Sequence, residues 1–194
     1  MKPTEMNDAL FKEEMEKLLA QIQFWAMRLE AIQPGFSLEP IPVSYLDGSG
    51  EQPFPLALEL KRVWDYARGE GPRPAELKEI IQELVELLWC PVAGHNYIIP
   101  YEWWNTPLGQ MCRMAEARAT IDDGGSLSAQ ELSYLSGIAG QWIREMCATG
   151  KLMAEKVTRE QNSQTEWAIP AEECRRFLAE RGLMKREAPS VRKG

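Results

Sequence analysis

The side chains that can contact the edges of nucleic-acid bases fall on four neighbouring residues: Gln141, Trp142, Arg144 and Glu145. A Gln amide can pair with adenine, an Arg guanidinium with guanine, and a Glu carboxylate can accept a hydrogen bond from cytosine. Away from cytosine, Glu145 would repel phosphate. Trp142 has two interpretations, an exposed ring that contacts a base or methyl group and a packed ring that fills space within its own chain. These residue types suit contact with base edges, and the element that presents them decides whether such contact is expected.

The sequence around these residues predicts a helix-turn-helix unit. Ser128 and Glu131 form a capping-box pattern, which starts the first helix. Gly137 stands where that helix must end in a left-handed conformation. Apolar spacing predicts a second helix over residues 138–147. In such a unit the second helix can enter the DNA major groove, so it would position the four side chains.

A two-stranded wing is predicted after the second helix. Residues 152–157 and 165–169 have the composition of short strands, and the polar stretch 159–164 between them is typical of a turn. Lys151, just after the second helix, is a further candidate for the groove. The wing offers side chains for contacts to the DNA backbone: Lys156, Arg159, Gln161 and Asn162. A short closing helix is predicted from Pro170 onward.

A longer pattern runs through residues 126–182. Its members are Leu132, Leu135, Gly137 and Ile138, then Ile143, then Gly150, Lys151, Leu152 and Ala154, then Trp167, Ile169, Pro170, Glu172 and Glu173, and finally Phe177 and Leu178. The pattern resembles the excisionase/MerR-like winged helix-turn-helix family, and it covers less than a third of the chain. The resemblance implies DNA binding of the kind found in transcriptional regulators, excision factors and small terminase subunits. It does not imply which of these tasks the chain performs.

The chain departs from that family at the start of the second helix. Family members usually have Ser or Thr there, followed by Arg or Lys and a Thr that reach phosphates, whereas this chain has Ala139, Gly140, Gln141 and Trp142. Alanine cannot cap a helix, and glycine in the first turn weakens it by about 0.5–1 kcal/mol. Two hypotheses follow, one in which the unit still binds DNA and one in which it serves only packing or protein contact.

The net charge of −7 is unusual for a protein that binds DNA. Its distribution is uneven. Residues 1–124 hold 11 Lys and Arg against 20 Asp and Glu, whereas residues 125–194 hold 11 against 9. Only the C-terminal third therefore favours a polyanion, and modestly. Because phosphate contacts supply most non-specific affinity, we expect a single copy to bind DNA weakly and in a salt-sensitive way.

Cysteine and histidine residues raise the possibility of a catalytic or metal site, but their spacing does not favour one. Cys90 and His95 could form a nucleophile and base, but no third orienting group stands at a recognisable spacing, and a structural loop is expected. The four cysteines are far apart and there is one histidine, so we expect free thiols and no metal site, disulfide framework or cofactor. The sequence contains no enzyme signature.

Two further groups have competing interpretations. The pair Asp122 and Asp123 could bind a cation, but a solvated acidic hinge is the simpler expectation. The aromatic residues Tyr101, Trp103 and Trp104 could form a ligand-binding box, or they could anchor a loop to the core. The anchoring interpretation is favoured.

The N-terminal region predicts a long helix with an apolar stripe. The stripe repeats at steps of four and three residues: Phe11, Met15, Leu18, Ile22, Trp25, Leu29 and Ile32. This heptad pattern favours either a coiled coil that dimerises the chain or a helix that packs on its own domain. Pro34 and Gly35 end it. The start of the sequence lacks the apolar core of a signal peptide, and no apolar run is long enough to span a membrane, so a cytoplasmic location without membrane contact is expected.

The remaining sequence predicts further helices. An irregular connector with several prolines occupies residues 34–56, and helices are expected at about 57–67, 74–89 and 106–121, with a loop at 90–101. Thr106 and Pro107 form a typical helix start. The glycines at 124 and 125 suggest a boundary. The predicted organisation is an acidic all-helical region at 1–124, a winged helix-turn-helix at 125–183 and a disordered basic tail at 184–194.

Together these patterns predict a mainly α fold, with a helical N-terminal region followed by a C-terminal winged helix-turn-helix that carries a two-stranded β-ribbon. The leading function is a DNA-binding transcriptional regulator, dimeric through its N-terminal helix. One alternative is a protein–protein interaction adaptor whose helix-turn-helix no longer binds DNA and whose acidic region binds a protein partner. Another is a phage-type excision or packaging accessory factor, which shares the DNA chemistry of the first.

Overall fold

The computed structural model describes residues 5–32, 55–89, 98–158 and 165–183. In these ranges the chain is mainly helical, with one antiparallel pair of strands near the C-terminus, so the predicted fold class is confirmed. The helices are α1 Asp8–Ile32, α2 Pro55–Arg68, α3 Leu77–Trp89, a 3-10 helix Tyr101–Asn105, α4 Pro107–Asp122, α5 Ala129–Ser136, α6 Gly140–Ala148 and α7 Ala171–Ala179. The strands are β1 Glu155–Thr158 and β2 Thr165–Ala168. Among the helices of these ranges, none combines the length and the apolar character that crossing a membrane requires.

Helix α1 buries the first part of its apolar stripe within the chain. Its first three members are buried: Phe11, Met15 and Leu18. The Phe11 ring lies 5.4 Å from the ring of Trp64 on α2, and Ile22 packs partly buried against the same core. The side chains of the last three members lie outside the described part of the chain: Trp25, Leu29 and Ile32. The first half of the stripe therefore packs on its own chain, and dimerisation through α1 stays a prediction.

Helix α4 is the centre of the fold. Five of its side chains are fully buried: Met111, Cys112, Met114, Ala115 and Ile121. It packs against α2 on one side and against α5 and α7 on another, and one cluster of buried side chains continues from α1 to α7. The winged helix-turn-helix therefore shares its core with the N-terminal helices. The predicted boundaries at residues 124 and 183 stay predictions.

A buried arginine connects the end of α2 with the segment after α7. Arg118 of α4 is 4% exposed. Its Nε donates to the carbonyl of Ala67 at 3.2 Å, and its Nη2 donates to the carbonyl of Leu183 at 3.4 Å. Its guanidinium also fills the space over Gly69, where an added Cβ would lie 2.9 Å from it. Burial lowers the pKa of Arg118. One side chain thus satisfies carbonyls at the end of α2 and after α7.

Several predicted boundaries are wrong, for identifiable reasons. Helix α6 begins at Gly140 and not at 138, because the carbonyl of Ala139 accepts the first helical hydrogen bonds, from Trp142 at 2.9 Å and Ile143 at 3.3 Å. Strand β1 begins at Glu155 and not at 152, because the N–H of Leu152 already donates to α6. Helix α3 begins at Leu77 after a turn at 75–76. The loop expected at 90–101 ends in a 3-10 helix at 101–105, which the sequence analysis does not predict.

Some predicted segments lie outside the described residues. These are the connector up to residue 54, the loop segment 90–97 that contains Cys90 and His95, the wing tip 159–164 and the basic tail 184–194. The expectations for them stay predictions.

Candidate nucleic-acid interface

Hydrogen bonds at both ends of α5 set the geometry of the turn before α6. The Ser128 side chain accepts from the N–H of Glu131 at 3.2 Å, and the Glu131 carboxylate accepts from the N–H of Ser128 at 2.6 Å, so the predicted capping box is confirmed. At the other end Gly137 has a φ of 67°, the left-handed conformation expected from the sequence. Its N–H donates to the carbonyl of Ser133 at 2.9 Å. The capping box thus fixes where α5 begins, and Gly137 fixes where α5 ends and the chain turns toward α6.

Helix α5 is also held from the N-terminal side. The Arg113 guanidinium of α4 lies 5.1 Å from the ring centroid of Trp104 and 5.1 Å from that of Tyr134. A guanidinium between two aromatic faces is attracted to both. This contact joins the 3-10 helix, α4 and α5, so it fixes the first helix of the helix-turn-helix against the N-terminal helices.

Helix α6 presents most of its surface to solvent. Only Ile143 and Cys147 are buried, at 0% and 5% exposure. The residues predicted to contact bases are all exposed: Gln141, Trp142, Arg144 and Glu145. Trp142 is 63% exposed, so the interpretation in which it fills space within its own chain is wrong. The helix is attached to the core along one narrow edge.

The start of α6 has the weakness that its sequence predicts. Ala139 occupies the N-cap position, and no side chain provides a cap hydrogen bond there. At the other end, the Thr149 hydroxyl donates to the carbonyl of Glu145 at 2.9 Å, and Gly150 follows with a φ of 71°. Lys151 comes next and is exposed. The exposed face of α6 therefore continues into a cationic residue at its C-terminal end.

The wing places one predicted contact residue on a defined platform. Lys156 of β1 pairs with Trp167 of β2, and its ammonium nitrogen lies 5.2 Å from the centroid of the Trp167 ring. Lys156 remains exposed, so this contact orients its charge without removing it from solvent. The other predicted wing contacts lie in the undescribed segment 159–164: Arg159, Gln161 and Asn162.

The base of the wing is joined to the helix-turn-helix by backbone and side-chain bonds. Leu127 and Ile169 form an antiparallel bridge with hydrogen bonds of 2.9 Å and 2.8 Å. Glu173 of α7 accepts a hydrogen bond from the N–H of Met153 at 2.9 Å. Both contacts place β1 and β2 next to the helices. Sequence reasoning missed Glu173 in this role, because a glutamate in the first turn of a helix ordinarily faces solvent.

A second residue that sequence reasoning missed is Gln130 of α5. It is exposed, and its Oε1 lies 3.1 Å from the position that a Cβ on Gly140 would occupy. The only signal in the sequence was its place within the capping box. Gln130 therefore belongs to the same surface as the start of α6.

The alternative sites proposed from the sequence have structural roles. Asp122 accepts a hydrogen bond from the Tyr66 hydroxyl at 2.6 Å, and burial together with this bond raises the pKa of Tyr66. Asp123 accepts one from Arg73 at 2.5 Å. Both acidic residues thus fasten the end of α4 to the α2–α3 region. They are bonded to neighbouring side chains where the sequence suggested a solvated acidic hinge, and this argues against a cation site.

The aromatic and cysteine residues that were candidates for a ligand or catalytic site also have packing roles. Trp103 is buried and its ring meets that of Trp104 edge-on at 4.8 Å, which is the anchoring arrangement, whereas Tyr101 is 73% exposed. Three cysteines are buried as free thiols: Cys112, Cys147 and Cys174. Burial raises the pKa of Cys174 to about 12, so this thiol is unreactive at neutral pH. In the described residues no His, Cys, Asp and Glu side chains are grouped in a way that could hold a metal ion.

Comparisons of the chain with models of protein families, with curated proteins and with solved structures find no match. The geometry of the site is therefore the basis for any functional conclusion.

Proposed function

We propose that this chain binds duplex DNA through α6 and the β1–β2 wing, and that it acts as a transcriptional regulator. The observation that carries the proposal is the outward face of α6. Only Ile143 and Cys147 are buried, so the helix stands out from the core while the capping of α5 and the Arg113 contact support it from behind. A short helix held in this way can enter a major groove.

The exposed side chains carry the chemical groups that bind nucleic acid. Gln141 and Arg144 have the donors and acceptors that read purine edges in the major groove. Lys151 and Lys156 lie at the end of α6 and on the wing, where a groove-bound helix would bring them near the sugar-phosphate backbone. The carboxylate of Glu145 on the same helix repels phosphate. It therefore restricts α6 to DNA sites where a base, such as cytosine, donates a hydrogen bond to it.

The weak charge of the surface predicts how binding depends on salt. Arg144, Lys151 and Lys156 are opposed by Glu145 on α6 and by Glu155, which is exposed on β1. Because each phosphate contact made by a cation releases counterions, affinity should be measurable at low ionic strength and fall steeply as salt is added. Two copies of the module on one duplex would double the phosphate contacts, so we propose that the protein binds as a dimer, with α1 as the dimerising element.

Fluorescence anisotropy with labelled mixed-sequence duplexes at low salt tests this function. Arg144→Ala and Lys156→Ala should each weaken binding and reduce the slope of log affinity against log salt by about 1. Arg62→Ala and Lys78→Ala are matched controls, because both residues are exposed on N-terminal helices other than α1, and they should leave the slope unchanged. If all four variants bind like the unmodified protein, the assignment to α6 and the wing is wrong.

The interaction adaptor is a second candidate, favoured by one observation. Trp142 is 63% exposed and Met153 is 73% exposed, and large apolar side chains of this kind also occur at protein–protein interfaces. An adaptor would show no salt-dependent retention on DNA, and its acidic N-terminal helices would bind a basic partner. A phage-type excision or packaging factor would show the same DNA binding as a regulator and would differ only in its biological setting.

A further inference from the structure

The side chain of Gln130 is held in place at the first turn of α5. Its Nε2 lies 3.3 Å from the Ser133 hydroxyl, and that hydroxyl donates to the carbonyl of Gln130 at 2.6 Å. Gln130 is nevertheless exposed to solvent. An exposed amide that is held by a neighbouring hydroxyl loses little further conformational freedom when it binds a ligand.

Gly140 is the point at which α5 and α6 bring polar side chains together. A Cβ added to Gly140 would lie 3.1 Å from Oε1 of Gln130 and 3.6 Å from Nη1 of Arg144. The amide and the guanidinium are therefore both within 3.6 Å of one point above the first turn of α6. A larger residue at position 140 would press on the Gln130 amide. This gives a physical reason for the glycine that otherwise only weakens the helix.

We propose that Gln130 is a further DNA-contacting residue, whose amide binds the sugar-phosphate backbone beside Arg144, and that Gly140 leaves room for both side chains above the first turn of α6. This inference rests on the proposed DNA-binding function. In a helix-turn-helix the first helix crosses the DNA backbone, and Gln130 is on that helix. The amide nitrogen of Gln130 carries two N–H donors, so one can stay with the Ser133 hydroxyl while the other donates to a phosphate oxygen.

Loss of a neutral hydrogen-bond donor to phosphate changes the affinity and its salt dependence differently from loss of a cation. Replacing Gln130 removes a hydrogen bond but no charge, so affinity should fall while the number of released counterions stays the same. Since the backbone has the same chemistry at every base pair, the loss should also be the same on all duplex sequences. Arg144, by contrast, contributes to the salt slope.

The experiment measures anisotropy of labelled duplexes with the full chain over a series of salt concentrations. Gln130→Ala should lower affinity about two- to tenfold, with an unchanged salt slope and with equal losses on two unrelated duplexes. Gln82→Ala, at an exposed glutamine of α3, is the matched control and should bind like the unmodified protein. Gly140→Ala should lower affinity while its melting temperature stays the same or rises, because alanine favours the helix.

Each outcome separates the two proposals. If Arg144→Ala weakens binding and Gln130→Ala does not, the role of Gln130 is overturned and the DNA-binding function stands. A loss confined to one duplex sequence overturns the backbone contact, since Gln130 would then read a base. Unchanged binding by Gly140→Ala overturns the role of the glycine. If the unmodified protein shows no salt-dependent binding, the proposed function and this inference both fail.

Discussion

Glu173 of α7 and Met153 of the segment that leads into the wing are joined by a hydrogen bond of 2.9 Å from the Met153 N–H to the Glu173 carboxylate. The same carboxylate accepts from Arg176 at 2.6 Å, and Glu173 is only 8% exposed. A backbone N–H that donates to α7 is not available for the β1–β2 pair, so this bond, like that of the Leu152 N–H to α6, keeps the segment before Glu155 outside the pair. The last helix thereby holds the wing next to α6.

Removing the Glu173 carboxylate should destabilise the fold. Glu173→Ala leaves the Met153 N–H without its partner, which costs about 1–3 kcal/mol in the free energy of unfolding. Glu172→Ala, at an exposed residue of the same helix, should cost much less. Urea denaturation followed by circular dichroism measures both. Equal losses for the two variants would show that the Glu173 contact does not stabilise the fold.

The contribution of Glu173 should depend on pH. The Arg176 side chain, together with the Met153 N–H, lowers the pKa of Glu173 below its ordinary value of 4.5. The stability that its ionised form provides is therefore fully present above that ordinary value and is lost as the pH falls through the lower folded-state value. The difference in unfolding free energy between the unmodified protein and Glu173→Gln should be constant from neutral pH to about 5 and shrink below it. A difference that grows as the pH falls contradicts the assignment.

Substitution of Arg118 should lower the unfolding free energy more than substitution of an exposed polar residue. Arg118→Met keeps much of the volume but leaves the carbonyls of Ala67 and Leu183 without this donor, so we expect a loss of about 1–3 kcal/mol in unfolding free energy. Arg62→Met is the control, because Arg62 is exposed and its ion pair within the described residues is with Glu59 of its own helix, and it should change stability by about 0.5 kcal/mol or less. Thermal denaturation of the two variants distinguishes them. Similar melting temperatures would mean that the buried guanidinium contributes nothing.

The turn of the helix-turn-helix can be tested through its left-handed residue. Gly137 has a φ of 67°, so Gly137→Ala should cost about 1–2 kcal/mol. Gly137→Asn should cost less, because asparagine tolerates this conformation better than alanine. Chemical denaturation gives the order of the three stabilities. If alanine is tolerated as well as asparagine, the turn differs from the one described.

The uncapped start of α6 predicts a stabilising substitution. Ala139→Ser would supply a hydroxyl that can accept a hydrogen bond from an N–H of the first turn and should raise the unfolding free energy by about 1 kcal/mol. Ala148→Ser, at the exposed last residue of the same helix, makes the same chemical change where no cap is needed and should be neutral or slightly destabilising. An increase for both variants, or for neither, contradicts the capping explanation.

The helix-turn-helix could be predicted from the sequence because its signals are local. The capping box at Ser128 and the left-handed Gly137 each depend on residues within one or two turns, and both are present in the structure. Arg144 and Lys156, which the sequence analysis proposes as DNA contacts, are both exposed in the structure. Periodicity could not decide between an exposed and a packed Trp142, because that depends on what lies opposite the helix.

Contacts between distant residues could not be predicted. Arg118 binds the carbonyl of Ala67, 51 positions away, and Glu173 binds the N–H of Met153, 20 positions away. Neither residue has a neighbour pattern that distinguishes it from a solvated charge. The approach of Gln130 to Gly140 is of the same kind, since it depends on the angle between two helices. The sequence showed Gly140 only as a weakness of α6.

The central claim is that α6 and the wing form the surface that meets DNA. Amide NMR spectra of the isotope-labelled protein, recorded while a duplex is added at low salt, test it most directly. We expect the largest chemical-shift changes at residues 139–149 and 151–157, with little change on α1 and α3. Spectra that do not change, or changes that centre on the N-terminal helices, would contradict the claim.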